Sequence, residues 1–143
     1  MKLVIYCLVL HVVAMAAALA CELKVDDPWV REAPPTASVL AGYMVLSNNS
    51  VDDCVLVGVA AAEFKSAMFH RTEEEGGVSR MTHQEDVTVP ARQRVVFEPG
   101  GFHIMLMQPA RPLKEGDLVQ VTLVLASGDE QVVEFPVRRT PAQ

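Results

Sequence analysis

In the segment GFHIMLMQ (101–108), His103 and Met105 stand two residues apart, and Met107 follows two further on. Residues i and i+2 of an extended strand share one face, roughly 6.5–7 Å apart along the chain. A strand here would present His103, Met105 and Met107 together and turn Ile104 and Leu106 toward a core. Imidazole nitrogen suits both oxidation states of copper, and uncharged thioether sulfur selects Cu(I). Zinc would ordinarily recruit cysteine or carboxylate beside histidine, and calcium would need an oxygen cage. Taken alone, the pair also reads as packing: two methionines over an apolar surface beside a half-buried, hydrogen-bonded histidine.

A second stretch adds donors of the same kind. SAMFHRT (66–72) and VSRMTHQ (78–84) flank EEEGG (73–77) and are expected to pair as an antiparallel hairpin. With Glu75-Gly76 as the two-residue loop, His70 lies opposite Met81. With Gly76-Gly77, a common type I′ pair, it lies opposite His83. Either register gathers His70, Met81 and His83, with Met68 on the face of His70. Two histidines with two methionines, from two strand units, form a donor set for Cu(I). Glu73-Glu74-Glu75 reads as a solvated hairpin tip, and Trp29 as a packing anchor.

The elements that must hold these donors are strands. After Cys21, short β-branched runs alternate with the turn formers SNNS, EEEGG, EPGG, KEGD and SGDE, and no helical period is evident. Val119, Val121, Leu123 and Leu125 show the two-residue period of a half-buried strand. The pattern predicts one all-β domain, an antiparallel sandwich or barrel, with RRTPAQ as a frayed end.

The first 20 residues read as a secretory signal peptide: Lys2, then LVIYCLVLHVVAMAAALA, ending in small residues. That leaves residues 21–143 as the exported domain. An uncleaved anchor is the rival, since about 18 apolar residues approach the spanning limit. Lipidation of Cys21 is a further alternative, although Ala18-Leu19-Ala20-Cys21 has its leucine one position late for that motif. Cys54, in DDCVLVGV, reads as a buried small apolar residue, with pairing to Cys21 as the alternative. The absence of CxxC excludes a zinc ribbon or a thioredoxin-like site. The chain carries 12 Lys and Arg against 18 Asp and Glu, a net charge of −6. An acidic surface of this kind disfavours nucleic acid and anionic lipid.

His70, ten intervening residues, Met81, twenty-one more, then His103-x-Met105 resembles the H-x10-M-x21-HxM pattern of PCu(A)C-type periplasmic copper chaperones. AGYMVLSNN (41–49), FHRTEEEGGVSRM (69–81), VPARQRVVFEPGGFHIMLM (89–107) and RPLKEGDLVQVTL (111–123) are similar to segments of that family. The resemblance covers about residues 26–136. It implies a cupredoxin-like β-barrel and a periplasmic, monomeric carrier of one Cu(I). The implied ligands are His70, Met81, His103 and Met105. It also implies a copper-accepting partner, a cytochrome c oxidase subunit at the CuA assembly step or a second copper carrier. The membrane would be involved only through a lipidated Cys21 or a retained signal.

The chain departs from the family in lacking a His/Met-rich tail, in having His83 close to Met81, and in carrying Cys21 and Cys54. Copper scavenging or tolerance is the alternative with the same ligands, and a metal-free β-sandwich interaction module the alternative without them. A blue-copper carrier needs a cysteine ligand beside histidine, and Cys54 is followed by VLVGVA. No nucleophile signature such as GxSxG marks an enzyme.

Overall fold

The alternation of Val119, Val121, Leu123 and Leu125 is realised as a strand whose four aliphatic side chains are buried, while Gln120 between them is exposed. In a computed structural model, which describes residues 20–140, every regular element is a strand. The ten strands are β1 (Leu23–Arg31), β2 (Val39–Asn48), β3 (Cys54–Ala61), β4 (Phe64–Glu75), β5 (Val78–Gln84), β6 (Val87–Val89), β7 (Arg94–Phe97), β8 (Phe102–Pro109), β9 (Leu118–Leu125) and β10 (Glu130–Arg138). The signal-peptide segment lies outside the described residues, apart from Ala20. Among the described residues no helix is long and apolar enough to cross a membrane.

The strands form one sheet in the order β5-β4-β8-β7-β2-β1-β10-β9-β3-β6. The ten-residue β2 serves two neighbours: its first half pairs with β8 (Leu40↔Leu106, Ala41↔Met105) and its second with β7 (Met44↔Phe97, Leu46↔Val95). β3 and β4 meet by packing, without a hydrogen-bonded ladder between them. The all-β expectation therefore holds, with two corrections. The sheet is mixed, because β1 runs parallel to β10 and β7 parallel to β8. It is also not a closed barrel, since no ladder joins its outer strands β5 and β6.

One core lies between the two halves of this sheet. Phe69, Ile104 and Leu106 come from the β5-β4-β8 end, Leu40 from β2 beside β8, and Leu56, Val89, Val121, Leu123 and Phe135 from the β10-β9-β3-β6 end. Cys54 is fully buried and bonded to Cys21, 33 residues away with Cα atoms 5.7 Å apart. The sequence-based reading of Cys54 as a free apolar residue thus gives way to its alternative. Burial and pairing coexist because the segment before β1 crosses the start of β3. Ser50 fixes that crossing: its hydroxyl accepts from the Glu22 amide at 2.8 Å and lies 3.6 Å from the Cys54 sulfur.

Asn48 completes this end of the molecule. Its buried side-chain amide donates to the carbonyls of Asp52 and Val89 (2.8 and 2.9 Å), and its oxygen accepts from the Ser50 amide. Trp29 packs on Tyr43 with ring centroids 4.8 Å apart, the anchor expected of it. The expected fraying of RRTPAQ is not observed at its start. Arg138 pairs with Asp27 at 2.7 Å and Arg139 with Glu32 at 2.6 Å. The Arg139 guanidinium, with the Glu115 amide behind it, holds the Glu32 carboxyl below the usual carboxylate range.

Candidate metal centre

Three adjacent strands at one end of the sheet carry the donors: β5, β4 and β8. The β4–β5 loop is Gly76-Gly77, with Glu75 opposite Val78 and φ values of +60° and +78°. A type I′ turn needs positive φ at both central residues, which glycine adopts at no steric cost. That settles the register. His70 faces His83, and Met81 faces Thr72, two residues nearer the hairpin tip. On its other side His70 faces His103, and Met68 faces Met105.

The pleat then sorts the side chains. Ile104 and Leu106 are fully buried in the core, so His103 and Met105 point to the opposite face, which they share with His70. The three imidazoles form a row across the three strands. The ring of His70 lies 5.5 Å from that of His83 and 5.9 Å from that of His103. Met81, His103 and Met105 line one cavity of about 190 Å³ with Arg31, Ala33, Val39, Leu40 and Ala41.

His103 is 6 % exposed and its Nδ1 lies 3.1 Å from the Gly101 carbonyl. A carbonyl can only accept, so Nδ1 carries the proton and Nε2 keeps the lone pair a metal requires. The same carbonyl accepts from the Thr72 amide at 3.0 Å, which ties the ring's orientation to β4. His70 differs. Both of its ring nitrogens are buried and neither has a hydrogen-bond partner. Its pKa is lowered, first by desolvation and then by the neighbouring His103 and His83. A neutral imidazole with unpaired nitrogens is costly, about 1–3 kcal/mol for a buried polar group left unsatisfied, and it is the form that binds metals.

Met81 is 54 % exposed on β5, an outer strand. Met107, on the face of Met105, is half-buried opposite Val39 and Ser66 and does not line the cavity, in keeping with a packing role. Glu73 to Glu75 are exposed, and Glu73 pairs with Arg71 at 3.3 Å, as a solvated tip should. Among the described residues no group of three His, Cys, Asp or Glu could hold a metal ion. A metal held at this end by three or more protein side chains would therefore draw on the thioethers. Sequence reasoning missed Arg31, Ala33, Val39 and Ala41, which close the cavity from β1, β2 and the segment between them. They carry no donor pattern and are brought in only by sheet order.

Residues 23–137 match the LpqE-like lipoprotein family. The chain belongs to that family. The Cu(I) form of DR1885 from Deinococcus radiodurans is similar, with a TM-score of 0.70 and 34% identity over 88% of this chain and 85% of that one. The apo PCuAC domain from PmoF1 has a TM-score of 0.69 and 25% identity, covering 82% of this chain and 94% of its own. Lxx21020 of Leifsonia xyli subsp. xyli, named as a lipoprotein, is 28% identical over 117 residues, which span 81% of this chain and 69% of that protein. The kinship with PCu(A)C-type domains that the ligand spacing implied is thereby established.

Proposed function

We propose that this domain is an exported copper chaperone that holds one Cu(I) through His70, Met81, His103 and Met105 and passes it to a partner. The observation that carries this reading is His70: two buried, partnerless ring nitrogens beside a histidine whose Nε2 is free, on the sheet face that also bears Met105. A hydrogen-bonded structural histidine would not be left in that condition. The Cu(I) form of a 34% identical relative adds support.

The donor chemistry suits a carrier. Neutral imidazole and thioether bind Cu(I) without a thiolate's susceptibility to oxidation. His70 and His103 are held within the sheet, whereas Met81 stands exposed on an outer strand. A donor from an acceptor protein can replace the Met81 thioether first, so copper leaves by stepwise ligand exchange rather than as a free ion. The acceptor we favour is a cytochrome c oxidase subunit at its CuA assembly step, or a second copper carrier. No bond of the cargo is made or broken beyond its coordination, so the role is carriage and not catalysis.

We place the domain in the periplasm. Lipidation of Cys21 needs the same sulfur that is bonded to Cys54, so the disulfide argues against a lipid tether at Cys21 and leaves a retained signal as the other route to the membrane. Competition with a chromophoric Cu(I) chelator tests the central claim. The wild type should withdraw one Cu(I) per chain, and a His103→Ala/Met105→Ala variant that competes equally well would defeat it.

A further inference from the structure

His83 is not needed for the Cu(I) site, yet it stands directly opposite His70, with ring centroids 5.5 Å apart and planes at 67°. His70 thus lies between two imidazoles. One, His103, lines the cavity that holds Met81 and Met105. The other, His83, is exposed and lines a separate cavity of about 280 Å³ with Met68, Gln84 and Glu85. Side chains directly opposed across an antiparallel pair have Cβ atoms about 4.5–5.5 Å apart, close enough for two imidazole nitrogens to meet one ion at about 2 Å each. His70 has no other commitment for either nitrogen.

The two sides of His70 offer different chemistry. The His103 side adds thioethers, which select Cu(I). The His83 side adds one thioether, Met68, together with solvent and the carboxylate of Glu85, oxygen donors that the lining of the His103 side lacks. Cu(II) prefers nitrogen and oxygen donors in a tetragonal arrangement. Among the described residues no three of His, Cys, Asp and Glu stand close enough to hold a metal by themselves, so water completes the coordination. We propose that His83 and His70 form a second copper-binding mode, for Cu(II), which excludes the Cu(I) mode because both require His70. This inference rests on the reading of His70 as a Cu(I) ligand. The domain can then take up copper in either oxidation state, one ion at a time, with His70 common to both.

The test titrates the purified protein anaerobically with copper(II) sulfate, read by electron paramagnetic resonance, and with an acetonitrile complex of Cu(I), read by chelator competition. The wild type should bind one Cu(II) with nitrogen couplings from two imidazoles. In His83→Ala one coupling should vanish and the Cu(II) affinity fall about tenfold or more, while Cu(I) affinity moves less than about threefold. His83 is exposed, so this variant keeps its fold. Cu(I) added to the Cu(II)-loaded wild type should release the Cu(II), leaving one copper per chain. Unchanged couplings in His83→Ala, or retention of one Cu(I) together with one Cu(II), overturn the proposal and leave the chaperone reading standing. That reading falls separately, if Cu(I) binding is indifferent to His103 and Met105.

Discussion

The two ends of this sheet treat their polar groups in opposite ways. At the β10-β9-β3-β6 end, the buried Asn48, bonded to β6, has each side-chain group satisfied, and a disulfide bonds β3 to the segment before β1. At the β5-β4-β8 end, the half-buried His70 has neither of its buried ring nitrogens satisfied, and a methionine stands in solvent. Both ends rest on the same aliphatic core. The difference teaches that the first end provides stability, while the second leaves its polar capacity unspent within the protein and available to a ligand.

That division can be broken most forcefully at the ligands. Replacing His103 and Met105 together by alanine should lower Cu(I) affinity by about 1,000-fold or more, since mutation of residues that merely support metal ligands already costs about 10–100-fold. Chelator competition measures it. The disulfide gives the opposite signature. Cys21→Ala/Cys54→Ala opens a link across 33 residues and should cost about 3–4 kcal/mol of stability in urea unfolding, with Cu(I) affinity unchanged. A loss of affinity there would show that the two ends are coupled.

Asn48→Ala should behave like the disulfide variant on a smaller scale. It leaves the Asp52 and Val89 carbonyls and the Ser50 amide without their partner, at about 2–3 kcal/mol in the same unfolding assay. Met81→Ala is its counterpart at the other end. The side chain is exposed, so the unfolding midpoint should hold while Cu(I) affinity falls about tenfold.

The smallest effect is on pH. The folded-state pKa of His70 is depressed, so between the unfolded value near 6.5 and that lower folded value the unfolded chain binds the extra proton. The metal-free domain should lose stability as pH falls through this window and regain it as pH rises. His70→Ala should flatten that dependence. Cu(I), competing with a proton that His70 binds weakly, should be retained to lower pH than an ordinary histidine site would allow.

The sequence by itself determined a good deal. Turn residues at short intervals and two-residue alternation specify strands because the pleat sends successive side chains to opposite faces. This placed Ile104 and Leu106 in the core and His103 and Met105 on the other face, and it grouped His70 with Met81 and His83. Tertiary structure decided the rest. Gly76-Gly77 chose the register that sets His70 against His83, an alternative that local sequence left open. Sheet order brought Arg31, Ala33, Val39 and Ala41 against the cavity, bonded Cys21 to Cys54, and introduced two parallel pairings. The cavity lining, the disulfide and the β1–β10 pairing depend on which strand lies beside which, over separations of about 30 residues or more. Periodicity reports only the faces of a single strand and holds no record of its neighbours.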